Sequence, residues 1–210
     1  MVARAERGRD SFILASASPR RAQILRSLGV AFTVEAADVD ESLRDGEDPV
    51  QAAERLARAK AEAVRRGDGT AVLGADTLVV CDGRPLGKPR SPCEAAEMLR
   101  TLSGRAHDVV TGVCLVSDGA ARSGYERTSV TFVPLSEAEI AWYVATGEPM
   151  GKAGAYHIDG CGGLFVASVS GSPSNVAGLP VGLLRRLFGE AGLPLVLSST
   201  PHPHPYPFPT

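Results

Sequence analysis

The chain has 210 residues, 44% of them hydrophobic and 22% charged, with a formal net charge of −2. That length allows one domain with a sizeable core, or one domain with two lobes. The charge supplies no global field for nucleic acid or a membrane surface, so any anion site must be assembled from local basic residues.

The first informative stretch is Ile13 to Arg21, a short apolar run ending in Ala15-Ser16-Ala17-Ser18-Pro19-Arg20-Arg21. It predicts a buried strand, a loop and a helix with Ser18 as N-cap and Pro19 in the first turn. Ala22, Leu25 and Leu28 continue at helical spacing and Gly29 stops the helix. Free N–H groups, two hydroxyls and two guanidinium groups at one helix start suit a polyphosphate. The same residues fit a capped surface helix with two solvated arginines equally well.

Residues 31–36 read as a second strand, followed by the acidic loop Asp38-Val39-Asp40-Glu41. Asp48-Pro49 opens a helix whose inner side carries Ala52, Ala53, Leu56, Ala57, Lys60, Ala61 and Val64, with Gly67 at its end. Lys60 on that apolar stripe is either functional or a long side chain snorkelling to the surface. Residues 71–80 form the most apolar strand, interrupted by Asp76 beside Thr77. An isolated carboxylate in a core strand is costly unless paired or cation-bound, which favours function over strand-end capping.

Asp82-Gly83 marks a hairpin turn leading to Gly87-Lys88-Pro89. Ser91-Pro92 caps a third helix, with Ala95, Met98, Leu99 and Leu102 inward and Gly104 at its end. Residues 109–117 predict a strand and 127–133 its antiparallel partner. Ser136-Glu137-Ala138-Glu139 is a capping box, its helix closed by Gly147, and Trp142 is expected to pack. A glycine-rich polar loop spans 151–160, a strand 164–169, and a last helix 180–191. The tail from Pro201 alternates Pro with His, Tyr and Phe and is expected to be extended and disordered.

The cysteines at 81, 93, 114 and 161 have no metal-ligand spacing and read as reduced thiols. Residues 1–10 lack an apolar signal core, and the uncharged stretch 160–184 is broken by Gly, Ser, Pro and Asn. The expectation is a cytoplasmic enzyme with no nucleic-acid or membrane partner. No Walker-type Gly-x-x-x-x-Gly-Lys-Ser/Thr run is present, and no covalent nucleophile arrangement stands out. Cations (Arg20, Arg21, Lys60, Lys88) beside carboxylates (Asp40, Glu41, Asp76, Asp159) suit a triphosphate with Mg²⁺ or Mn²⁺.

Six ordered motifs make this specific. Ser16-Ala17-Ser18-Pro19-Arg20-Arg21, Leu56 to Ala61, Gly74-Ala75-Asp76-Thr77, Gly87-Lys88-Pro89, Lys152 to Tyr156 and Asn175 to Pro180 resemble those of the Maf family. Ser103-Gly104, His107 and Thr111-Gly112-Val113 fit the same pattern. The resemblance implies an α/β fold, an elongated twisted mixed sheet flanked by helices and similar to the inosine-triphosphatase group. It implies one domain over 11–192 with two lobes and a cleft, between flexible termini at 1–10 and 200–210. It further implies a homodimeric nucleoside triphosphate pyrophosphatase that yields a nucleoside monophosphate and pyrophosphate with a divalent metal, Mg²⁺ or Mn²⁺.

By that resemblance Asp76 activates water, and Glu41 and Asp76 hold the metal. Arg20, Arg21, Lys60 and Lys88 grip the triphosphate with Ser16 and Ser18. Arg20 and Thr77 match the branch preferring dTTP and UTP. That branch carries glutamine where this chain has Asp159, and glycine where it has His157. Ionised Asp accepts hydrogen bonds but donates none, while His157 either supplies a donor or packs against the loop. The expectation is a pyrimidine preference, with Arg20, Thr77 and Asp159 as specificity positions. The alternative is a non-catalytic nucleotide-binding regulator of cell division and septum formation.

Overall fold

A computed structural model describes residues 12–195; the expectations for the two termini lie outside the described residues. One seven-stranded sheet organises the molecule. Strands β1 (Phe12–Ala15), β2 (Phe32–Val34), β3 (Val72–Cys81), β4 (Arg84–Leu86), β5 (Ala106–Ser117), β6 (Ala120–Phe132) and β7 (Val166–Ser170) lie in the order β2-β1-β3-β5-β6-β7, with β4 also on β3. The pairs β1–β2 and β1–β3 are parallel and the remainder antiparallel. The expected mixed sheet flanked by helices is therefore present.

Helices α1 (Pro19–Ser27), α2 (Pro49–Val64), α3 (Pro92–Leu102) and α4 (Glu137–Ala145) begin where their caps predict, at Ser18, Asp48, Ser91 and Ser136. Each cap side chain accepts a backbone N–H of the first turn, and Ser136 with Glu139 completes a capping box. A short α5 (Pro173–Val176) and α6 (Val181–Glu190) come last in the chain. On one face of the sheet, Leu14, Leu73, Val113 and Leu184 pack with α1 and α6, and Val79, Leu99, Phe132 and Tyr143 with α3 and α4.

The other face receives α2 at unusually close range. Its seven buried residues are those of the predicted stripe, Lys60 included. Below it lie Gly74 and Gly112. A Cβ at Gly74 would come within 2.1 Å of the Ala57 carbonyl oxygen, and one at Gly112 within 2.3 Å of that of Ala53. Small residues on both sides let helix backbone rest on strand backbone, and this seats Lys60 against the middle of β3. Gly74→Ala is expected to lower stability by about 2–3 kcal/mol, because overpacking here meets main chain that cannot rotate away. A urea unfolding midpoint unchanged from wild type would show that the contact is loose.

Several boundaries differ from the sequence reading. β2 is an edge strand of three residues, shorter than 31–36. β6 begins at Ala120, not 127, because Asp118-Gly119, both at positive φ, form the tight turn of a long β5–β6 hairpin. Its first half is small and polar and faces partly outward, so it carries no apolar alternation. Leu164 sits in a 3₁₀ turn (Cys161–Phe165) before β7 and is 71% exposed. Trp142 is 48% exposed and its neighbour Tyr143 is the buried aromatic, so the expectation that Trp142 packs is overturned.

One edge of β3 is only partly covered. β1 accompanies it only as far as Ala15 opposite Gly74, and β4 takes up the same edge at Val79 opposite Leu86. β5 covers the other edge throughout, from Val72 to Val80. Residues 75–78 are thus left without a strand neighbour on one side, and the chain leaving β1 turns away there into α1.

Candidate active site

That gap opens into a cleft of about 330 Å³. Ser16 and Ser18 reach it from the loop after β1, Arg20 and Arg21 from the first turn of α1, and Asp76 and Thr77 from β3. Glu41, Lys60 and Lys88 close one side. Asp159 does not line the cleft, but it forms an ion pair with Arg20, which does. Lys152 and Tyr156, to which the sequence motifs assign no role in the site, line it as well, and so does His157.

The charged end is an alternating chain. Lys60 Nζ lies 2.6 Å from Asp76 Oδ1 and 2.5 Å from Glu41 Oε1, and Lys88 Nζ lies 3.1 Å from Glu41 Oε2. Lys60 and Asp76 are only 6% and 7% exposed, so each is tolerated because the other is there. Lys60 therefore does not snorkel. Burial works against the charge on Glu41, but the ammonium groups of Lys60 and Lys88 outweigh it and hold the carboxyl below its usual range.

Arg20 and Arg21 both line the cleft, and each is engaged by groups of the protein. Arg21 is buried. Its Nε–H donates to the Gly178 carbonyl at 2.8 Å, and its Nη1 and Nη2 donate to Ser16 Oγ and Thr77 Oγ1, both at 3.0 Å. Thr77 and Thr111 hydroxyls lie 3.0 Å apart, and Thr111 donates onward to the Asn175 carbonyl. Desolvation lowers the Arg21 pKa, opposed by the charges of Asp76 and Glu41. Arg20 is held by Asp159 and approaches Gln23 Oε1.

Beneath the cleft, His107 Nε2 lies 3.0 Å from the Tyr156 hydroxyl, and its ring meets Phe132 edge-on. Burial pulls its pKa from 6.5 to about 4. A depressed histidine favours the fold in its neutral form. That contribution is complete above the unfolded pKa and is lost as the pH falls through about 4. Between about pH 7 and pH 4 the wild type should lose about 3 kcal/mol more stability than His107→Gln. Urea titrations at the two pH values check this, and parallel losses would contradict it.

Glu41 and Asp76 fit a hard divalent cation. They are oxygen donors converging on one ammonium from two elements, and no three histidine, cysteine or carboxylate groups among the described residues form a closed metal cage. Mg²⁺ is commonly held by one or two carboxylates with substrate phosphates completing its shell.

The family model described as Maf-like protein matches residues 11–191. The chain belongs to the Maf family. A relative named dTTP/UTP pyrophosphatase from Symbiobacterium thermophilum is 49% identical over 187 residues, covering 89% of this chain and 96% of the relative. Relatives of the same name from Myxococcus xanthus and Moorella thermoacetica are 52% and 50% identical, over 87% and 88% of this chain and 93% and 96% of theirs. Among solved structures, the Staphylococcus aureus Ham1 protein overlaps 58% of this Maf chain and 71% of its own, with 17% identity and a TM-score of 0.43. A nucleoside-triphosphatase / dITP/XTP pyrophosphatase from Mycobacterium abscessus overlaps 60% and 75%, with 18% identity and a TM-score of 0.40. No helix among the described residues of this Maf protein is long and apolar enough to cross a membrane.

Proposed function

We propose that this Maf protein is a nucleoside triphosphate pyrophosphatase that hydrolyses the α–β anhydride of dTTP and UTP, releasing a nucleoside monophosphate and pyrophosphate. The observation that carries this reading is the chain Lys88–Glu41–Lys60–Asp76 at one end of a nucleotide-sized cleft. Relatives of about half-identical sequence bearing the name dTTP/UTP pyrophosphatase support it. We read residues 11–192 as one domain whose cleft lies between two lobes, and the assembly as a cytoplasmic homodimer.

Asp76 takes the proton of the attacking water. Its Oδ1 is engaged by Lys60, which fixes the carboxylate plane for work as a base. Lys60 and Lys88 face the phosphates, where they neutralise charge that grows on the leaving pyrophosphate. Glu41 and Asp76 would hold a divalent ion, Mg²⁺ or Mn²⁺, which when bound supplies charge neutralisation and a more acidic water. Ser16 and Ser18, at the helix start, offer hydroxyls to the same phosphates. Arg21 contributes indirectly by fixing Ser16 and Thr77.

At the other end of the cleft, Arg20 stands with Asp159, and Tyr156, His157 and Ile158 line the wall. An apolar and aromatic wall with a few polar groups suits a base. Pyrophosphate release measured across dTTP, UTP, GTP, ATP and modified triphosphates, with Mg²⁺ or Mn²⁺, tests the reading. Release from dTTP and UTP above the purines is the expected result. Release of orthophosphate alone, or no turnover of any triphosphate, would remove it.

A further inference from the structure

The loop that carries Tyr156, His157 and Asp159 is held from behind by two residues that do not line the cleft, Tyr143 and Glu148. Tyr143, on α4, is fully buried; its hydroxyl donates to Glu148 Oε1 at 2.8 Å and accepts the His157 N–H at 3.0 Å. Glu148 then accepts the Gly162 N–H on Oε1 at 3.0 Å and the Cys161 N–H on Oε2 at 3.1 Å. Both ends of 157–162 are therefore tied to one carboxylate–phenol pair. The fit is close: a Cβ at Gly160 would fall 2.4 Å from Glu148 Oε2, and one at Gly162 would fall 2.7 Å from the Tyr143 hydroxyl.

Burial opposes the charge on Glu148, but the Gly162 N–H, the Tyr143 hydroxyl and the Cys161 N–H outweigh it, so its carboxyl lies below the usual range. A charged acceptor with three donors is a rigid mount. Between its anchor points the loop projects Ile158 into the cleft and sends Asp159 across to Arg20 on α1. The phosphate-facing groups Glu41, Lys60, Asp76 and Lys88 come from other elements and make none of these contacts.

We propose that Glu148, seated on Tyr143, is a positioning residue for base selection: it fixes where His157 and Ile158 meet the nucleobase, and where Asp159 holds Arg20, without touching substrate itself. This rests on the nucleotide reading of the cleft. Its effect falls on recognition, because the contacts of Glu148 and Asp159 run to Tyr143, the 161–162 backbone and Arg20, not to Glu41, Lys60, Asp76 or Lys88.

The test compares wild type with Glu148→Gln, Glu148→Ala and Tyr143→Phe, using pyrophosphate release from dTTP and GTP and thermal unfolding. Glu148→Ala should raise KM for dTTP about tenfold and lower the dTTP-to-GTP ratio of kcat/KM by a similar factor, since hydrogen bonds to a charged acceptor are lost. The kcat at saturation should stay within about twofold. Glu148→Gln, which keeps the shape and one acceptor oxygen, should recover part of the ratio. Tyr143→Phe should shift it in the same direction.

An unchanged dTTP-to-GTP ratio in folded variants, or equal losses on both nucleotides, would overturn the proposal and leave Glu148 a structural residue. Dissociation constants for the α,β-methylene analogues of dTTP and GTP give the same comparison without turnover. If the wild type releases no pyrophosphate, the pyrophosphatase reading fails. A Glu148-dependent ratio of those two constants would still uphold base selection, and a ratio unmoved by the substitutions would end it.

Discussion

Asp76→Asn should lower kcat for pyrophosphate release by about 10³-fold, with KM changed little. The magnitude is what a positioned general base contributes. The substitution preserves shape, and Lys60 keeps Glu41 as a counter-charge at 2.5 Å, so the fold should lose only about 1–2 kcal/mol. A single-turnover assay beside a thermal melt separates the two effects. Substantial retained kcat in a folded Asn variant would remove Asp76 as the proton acceptor. Loss of folding would instead show that the carboxylate is chiefly structural, and the assay would then be repeated on whatever fraction remains native.

Lys60→Met should be the larger blow to stability, about 3 kcal/mol or more. Methionine fills the stem of the lysine, but it leaves the buried Asp76 and the Glu41 carboxylate facing one another with no cation between them. Breaking a buried pair by removing one partner costs about 3–5 kcal/mol because a charge is stranded. Activity should fall about 10²-fold or more, since one cation is withdrawn from the developing negative charge. Metal dependence gives a distinctive check: millimolar Mg²⁺ should raise the unfolding temperature of the methionine variant more than that of wild type, and a chelator should reverse the gain. A divalent ion that binds the native carboxylates stabilises by mass action. Equal responses in the two proteins would argue that Glu41 and Asp76 are not where the ion sits.

Much of the scaffold is legible residue by residue. Ser18, Asp48, Ser91 and Ser136 announce helix starts because capping is a local interaction between a side chain and the next few N–H groups. The seven-residue inner face of α2 is legible from spacing alone, and Asp76 stands out by the cost of a carboxylate in an apolar strand. What sequence spacing does not reveal is pairing at long range. The partners of Arg21 include Thr77 and Gly178, 56 and 157 residues away, so its withdrawal from the solvent-facing set is invisible in Pro19-Arg20-Arg21. The bond between Arg20 and Asp159 joins two regions that local rules treat separately. The first half of β6 lacks any apolar alternation to reveal it. Glu148 sits in an ordinary Gly-Glu-Pro connection, and only the folded loop shows which N–H groups it serves.

The interruption along one margin of β3 has a consequence for how such a protein can change. Adjacent residues on a strand normally serve opposite compartments, yet Asp76 and Thr77 both open onto the same cavity. Each is nevertheless supported from its own side of the sheet, one by the lysine of α2 and the other by the guanidinium of α1 and Thr111. On the reading proposed above, hydrolytic power and ligand choice thereby rest on supports from opposite faces of the sheet. On that reading a substitution in α2 would bear first on the proton acceptor and one in α1 on ligand choice, although the two side chains are separated by a single peptide bond.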